Sequence, residues 1–307
     1  MYRKMLPRRL KDSIKVLFGM VKAVDTEAST EASQKLPVDV EASTEVSQKL
    51  PVDVEVSENL NYFCPVCASP VKKFNALPDF YYENLDKHGF IFSVFQGETL
   101  NLFNYSCPVC GASDRDRLYS IYLQKEVSSH FSEFKFLDIA PSSSLQKFIK
   151  THYPHIEYRC ADLMMTGVDD VIDITRMDIY DDNVFDFLIC SHVLEHVHDD
   201  RKAMSELFRV LKLGGKGIVM VPIILNLEND YENPEITTPE GCWKHFGQDD
   251  HVRMYSKPGF VSKLIDTGFL VHQLGANFFG SELFDKHGIH NRSVLYVVEK
   301  GSSGFQG

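Results

Sequence analysis

From residue 134 onward the chain alternates short apolar runs with amphipathic segments. Apolar runs at 134–139, 156–160, 170–172, 185–190, 216–221, 270–274 and 293–298 predict seven strands. Helical spacing at 143–151, 200–211 and 258–267 predicts the helices between them. In 200–211, Ala203, Leu207, Val210 and Leu211 share one face. Strand–helix alternation with apolar strands implies an α/β fold with a mainly parallel sheet covered on both faces.

Ahead of this region the pattern changes. Residues 60–112 are aromatic and β-prone, and 90–95 and 100–105, joined by 96–99, predict a hairpin. Residues 115–126 predict a helix leading into the main domain. Two near-identical copies, EASTEASQKLPVDV and EASTEVSQKLPVDV, span 27–54 and differ only at Ala32 against Val46. This segment is polar, acidic and free of aromatics, so 25–59 is expected to be a disordered linker. Residues 302–307 are expected to be a flexible tail. Within 1–24, Leu6, Leu10, Ile14, Leu17 and Val21 lie at helical spacing. An amphipathic helix there suits weak contact with an anionic membrane surface or docking on protein, and the two readings stand level.

Charge narrows the partners. The net charge is −11, although residues 1–22 hold seven basic side chains against Asp12. A chain so acidic offers no broad surface for nucleic acid. Without a long apolar run or a secretory leader pattern, it is expected in the cytoplasm, at most peripheral at the inner membrane surface.

Four of the seven cysteines form two C-P-V-C pairs, Cys64/Cys67 and Cys107/Cys110. Cys160, Cys190 and Cys242 stand alone. Short-spaced pairs on two turns are how tetrahedral Cys₄ zinc sites are built, and four protein ligands close the ion's shell. A structural zinc-ribbon module over 60–112 follows, with a redox C-x-x-C the weaker alternative.

The stretch FDFLICSHVLEHVHDDRKAMSELFRVLKLGGKGIVMVP, residues 185–222, reads as strand, turn, helix, Gly-Gly turn and strand. It resembles the fourth strand, helix and fifth strand of class I S-adenosylmethionine-dependent methyltransferases, of the type 11-like group. That resemblance covers roughly 134–300 and implies a Rossmann-like seven-stranded sheet in a methyltransferase domain at 113–301, with S-adenosylmethionine as cofactor. It places the methyl donor on Asp138, Ala140, Ser142, Asp162, Asp173, Ile174 and Ser191. Asp162 would hold the ribose, Asp173 and Ile174 the adenine, and the helix capped at Ser142 the methionine carboxylate. The family's Gly-rich first turn is here Ala140-Pro141-Ser142, as in a subgroup of the family.

Residues 192–196, HVLEH, also match the inverted zinc-protease signature. That reading needs the motif inside a helix, whereas here a strand runs into His192. A hydroxyl or amine acceptor needs a base, and the candidates are His251, His192 and His245. Arg253 could hold an anionic group; equally, 250–253 could be a structural latch. The acceptor implied is a small molecule or a sugar or polysaccharide precursor. The alternatives are an RNA methyltransferase gripping RNA with its ribbon, and a scaffold with a degenerate methyltransferase fold. The acceptor atom and the oligomeric state are not encoded legibly.

Overall fold

The computed structural model describes residues 61–127 and 133–301. The expected N-terminal helix with its membrane contact, the repeat linker and the tail lie outside the described residues. Among the described residues, no helix is long and apolar enough to cross a membrane.

A seven-stranded sheet forms the centre. In chain order its strands are β3 (Lys135–Ile139), β4 (Glu157–Asp162), β5 (Asp170–Val171), β6 (Phe185–Ser191), β7 (Leu211–Met220), β10 (Phe269–Leu274) and β11 (Leu295–Lys300), while β8 (Tyr231–Glu232) and β9 (Arg253–Met254) pair with each other outside it. Their spatial order is β10-β11-β7-β6-β3-β4-β5. From β5 to β7 neighbouring strands run parallel, while β11 is antiparallel to both β7 and β10. The chain therefore starts at β3, builds outward through β4 and β5, then returns to build β6 and β7 on the other side. This reversal between β3 and β6 is a topological switch point, where open α/β sheets bind ligands at the strands' carboxyl ends.

Burial explains why the strands were legible. Phe136 to Ile139 and Phe187 to Cys190 are all buried, as expected for strands covered on both faces. Helix α4 (Asp200–Val210) buries Ala203, Met204, Leu207 and Val210. Each large side chain there contributes about 1.5–3 kcal/mol. The Gly-Gly turn expected after α4 lies inside β7 instead, where the pairing with β6 shifts register. Gly214 takes φ 76°, and a Cβ on Gly215 would come within 2.9 Å of the Lys212 carbonyl.

The segment before the sheet departs from expectation. Strands β1 (Tyr62–Cys64) and β2 (Ser69–Val71) form a small antiparallel pair around the first cysteine turn. The anticipated hairpin over 90–105 is absent: helix α1 (Asp79–His88) ends just before it, and a 3₁₀ turn at Val94–Gln96 stands where its first strand was expected. Two interactions account for this. Asn101 Oδ1 accepts from the backbone of Phe103 and Asn104, bending the chain where a second strand would run. Phe90 and Phe92 leave any sheet pattern to pack beside Ile224, Cys242, Phe246 and Met254.

Helix α2 (Asp114–Glu126) joins the two regions. Its start is fixed by a reciprocal cap between Ser113 and Asp116. Its Arg117 is wholly buried. The guanidinium donates to the carbonyls of Asn104, Tyr105, Ala112, His287 and Gly288, and lies 3.8 Å from the Phe74 ring centre. One continuous core holds Cys64, Val71, Phe74 and Cys107 together with the sheet residues.

Replacing Arg117 with Ala leaves these buried carbonyls unsatisfied, so stability should fall by about 3–5 kcal/mol. Urea unfolding followed by circular dichroism measures this. A loss below about 1 kcal/mol would remove Arg117 from its central place.

Candidate active site

The carboxyl ends of β3, β4, β5 and β6 open on one crevice edge. After β3 the chain turns sharply at Ala140, whose φ of 54° is left-handed. A non-glycine residue pays roughly 1–2 kcal/mol for that conformation. Ala140 thus supplies the kink a glycine would make, and its N–H donates to the Ala161 carbonyl at 2.9 Å. Ser142 then caps helix α3 (Ser143–His152) by accepting from the Leu145 N–H at 3.2 Å. Asp138 sits beneath this turn, 2% exposed, where the Tyr158 hydroxyl donates to it at 2.6 Å.

After β4, Asp162 Oδ1 accepts from the N–H groups of Met164 and Met165, both at 2.6 Å. Asp173 shapes its own turn by accepting from the backbone and hydroxyl of Thr175, each at 2.8 Å. Ile174 is buried beside it. Ser191 ends β6, and His192 follows in the left-handed region at φ 57°. The His192 N–H donates to the Met220 carbonyl at 2.8 Å, so the ring is carried at a fixed strand end.

Helix α2 supplies three residues that sequence reasoning missed. Asp116 accepts from the Ser142 hydroxyl at 2.8 Å. The Tyr119 and Ser191 hydroxyls share a hydrogen bond of 2.8 Å. Arg115 Nη1 lies 2.6 Å from His192 Nε2. The only signal was the S-x-x-D cap, which puts Arg115 and Tyr119 one turn apart on one helix face.

The histidines separate. His192 Nδ1 lies 3.2 Å from Glu195 Oε1. Burial first, and then the Arg115 charge, lower the His192 pKa to about 4, so its ring is neutral at pH 7. His251 is 7% exposed, and its Nδ1 meets the Phe246 carbonyl at 3.0 Å. Burial lowers its pKa to about 4 as well, and the His196 charge adds to this. The His251 ring packs edge-on against His196 at 4.6 Å. His245 belongs to helix α5 (Pro239–Phe246) and bonds the Tyr231 hydroxyl at 2.8 Å.

Arg253 does not offer its charge to a ligand. It is 3% exposed and donates to Leu194 and His198 carbonyls at 2.9 and 2.8 Å, and to Glu232 at 2.8 Å. With a further bond to the Val197 carbonyl, it is a latch closing 250–253 onto the loop after β6. The Val252 N–H adds a bond of 2.9 Å to the Glu195 carbonyl. Residues 192–196 are likewise not a protease helix: a strand end leads into a single 3₁₀ turn at Leu194–His196.

The four paired cysteines converge. Cys64 and Cys110 sulfurs lie 3.8 Å apart, and those of Cys67 and Cys107 3.9 Å apart. A tetrahedral ion with metal–sulfur bonds of ~2.3 Å has sulfurs ~3.8 Å apart, so the cluster fits a zinc-sized ion. The thiols perturb each other strongly. Neighbouring Cys110 and Cys64 pull Cys107 down to about 2, while Cys107 drives Cys64 up to about 12. Gly111, at φ 77°, lets the second turn close. The Ser144 hydroxyl donates to the Cys110 carbonyl, joining this cluster to α3 at the crevice.

Residues 125–219 match the family model for a methyltransferase domain. Together with the sheet order, this match defines a class I S-adenosylmethionine-dependent methyltransferase domain within the chain. No curated protein sequence matches the chain. Solved structures of similar fold include the CurJ carbon methyltransferase, at 14% identity and TM-score 0.40, covering 61% of this chain and 53% of that one. Another is phosphoethanolamine N-methyltransferase 2 of Haemonchus contortus with S-adenosyl-L-methionine, at 15% identity and TM-score 0.41, covering 62% and 53%. The [4+2]-cyclase SpnF is similar at 15% identity and TM-score 0.42, covering 75% of this chain and 100% of its own. The chain thus spans about half the length of the CurJ and Haemonchus proteins.

Asp138 gives the domain a pH signature. Burial raises its pKa from 3.8 to about 7, against the Tyr158 hydrogen bond, which lowers it. The folded state then holds a proton that the unfolded state has released between about pH 4 and pH 7. This group's contribution to stability should fall as pH rises through that window. Asp138→Asn removes the effect, so its stability relative to wild type should improve by about 1 kcal/mol or more from pH 4.5 to pH 8. Parallel urea titrations at both pH values test this; an unchanged difference would refute it.

Proposed function

We propose that the chain transfers a methyl group from S-adenosylmethionine to a small molecule or a sugar precursor. What supports this reading is that Ala140, Ser142, Asp162, Asp173 and Ser191 all lie at or just beyond the carboxyl ends of the parallel strands β3 to β6 in a sheet that matches a methyltransferase domain. Asp162 is the ribose anchor: its Oδ2 makes no hydrogen bond among the described residues, while Oδ1 holds the turn. Asp173 and buried Ile174 take the adenine end, and the N–H groups at the start of α3 meet the methionine carboxylate. Asp138 supports the turn from below rather than touching the donor.

The donor brings an electrophilic methyl on a sulfonium. The protein's part is to align an acceptor atom behind that carbon and to exclude water. His192 stands at the strand end beside the donor's place, between Arg115 and Glu195, and serves to orient the acceptor. His245, bonded to Tyr231, belongs to the wall of the insertion over residues 223–256. That insertion docks on the first module: the Glu98 N–H donates to the Ile223 carbonyl at 3.0 Å, and the Ile91 N–H to that of Lys244 at 3.0 Å. A chain of net charge −11 suits a compact acceptor better than RNA. The Cys₄ cluster holds structural zinc.

Calorimetric titration with S-adenosylhomocysteine should give one site per chain, and Asp162→Ala should weaken it by about tenfold or more, about one hydrogen bond to a charged group. A folded protein that binds neither donor nor product would leave only the scaffold reading. Elemental analysis should find zinc bound to the chain, and Cys107→Ser should lose one equivalent of it together with much of the thermal stability. Full stability after zinc removal would end the structural role.

A further inference from the structure

A second cluster of metal-binding side chains lies in the loop after β6. The carboxylate of Glu195, the imidazole of His196 and the imidazole of His251 bring one donor atom each within 4.8 Å of one another. Glu195 is 1% exposed, and neither of its oxygens has a hydrogen-bond partner. His192 lies near as a polar neighbour at 3.2 Å but is not aligned to donate. A buried carboxylate is costly unless a cation or several donors meet it. Among the described residues no donor hydrogen-bonds this one, and the groups beside it are the imidazoles of His192, His196 and His251.

The two imidazoles are set up to complete the shell. His196 Nδ1 faces Asp250 Oδ1 at 3.1 Å, and His251 Nδ1 faces the Phe246 carbonyl at 3.0 Å. Each ring thereby spends Nδ1–H on an outer partner and keeps the Nε2 lone pair for a ligand. That is how metal-bound histidines are oriented. The backbone is clamped as well, by Val252 N–H on the Glu195 carbonyl and by Arg253 on Leu194 and His198. Ligand atoms within 4.8 Å need only small side-chain rotations to reach a common ion.

We propose that Glu195, His196 and His251 form a binding site for a divalent transition-metal ion, distinct from the Cys₄ cluster. Two imidazoles and one carboxylate favour manganese, iron, cobalt or zinc over calcium and magnesium. Three protein ligands leave positions open, unlike the closed four-thiol shell. Resting on the methyl-transfer reading, those positions take an oxygen of the acceptor, of a class with a hydroxyl able to chelate. The ion lowers that hydroxyl's pKa, and its proton passes to solvent. The oxygen then bonds to the methyl carbon as the carbon–sulfur bond breaks, and the electron pair returns to sulfur. His251 acts as a ligand in this scheme, not as the base.

The test uses the full chain loaded with one equivalent of zinc, which the four-thiol cluster takes first, so that the second site stays free for cobalt. Cobalt(II) is added and followed by visible absorption, with S-adenosylhomocysteine affinity measured in parallel. One cobalt per chain with weak d–d bands and no thiolate charge transfer is expected. Glu195→Gln and His251→Asn should each weaken cobalt binding by about tenfold or more, with zinc content unchanged. Absence of a cobalt site in wild type, bands of thiolate charge transfer alone, or variants that bind as wild type would each overturn the proposal. If both variants fail to fold, the wild-type stoichiometry and spectrum still decide. Absence of S-adenosylhomocysteine binding with cobalt binding intact would sink the methyl-transfer reading and leave the metal site standing.

Discussion

The buried guanidinium of Arg117 is the constraint on which most of the arrangement depends. A charge with no solvent must satisfy each N–H, and its acceptors come from chain segments far apart: 104–112 from the cysteine region and 287–288 from near the end of the chain. His287 extends the same junction, bonding the Phe63 carbonyl at 2.7 Å through its ring. Gly288, at φ 61°, has no room for a side chain, because a Cβ would meet the Phe74 ring at 2.4 Å. The second cysteine turn, the first strand pair and the segment before β11 are therefore positioned together or not at all.

That junction fixes α2, and α2 reaches the crevice. Three of its residues reach the strand ends: Arg115 at His192, Asp116 at Ser142 and Tyr119 at Ser191. The cysteine module is thus joined to the candidate site through the placement of this helix. The Ser144 bond to the Cys110 carbonyl supports the same path from the other side. A module that looks like a separate attachment in the sequence shares its core with the sheet.

The sheet was legible because its signal is local. A doubly covered strand must be apolar along its length, and 134–139 and 185–190 say so without help from elsewhere. The failures were non-local. Phe90 and Phe92 read as strand residues, yet their burial is provided by residues 224–254, more than a hundred positions away. Arg253 read equally as an anion holder or a latch, because the carbonyls that engage it belong to a loop 55 to 59 residues earlier. Asp162 and Asp173 were chosen from the family resemblance and their places near strand ends, and the structure puts them at the end of β4 and just after β5. Arg115 and Tyr119 could not be, since nothing in a helix sequence states which strand end it will meet.

The two turns at the switch point show what the crevice demands of its backbone. A glycine at 140 would make the left-handed turn at no steric cost, and a side chain there costs stability. Ala140 and His192 both accept that cost, at φ 54° and 57°, on the two strands that flank the switch point. Strain placed at both sides of one crevice, and held by hydrogen bonds to Ala161 and Met220, is the pattern of a site whose geometry is imposed by the sheet. The first turn leads the chain into the start of α3; the second points it into the loop that carries Glu195 and His196. A single backbone device, used twice, therefore sets the direction of the chain at the ends of both β3 and β6, and the latch at Arg253 closes on the second of them.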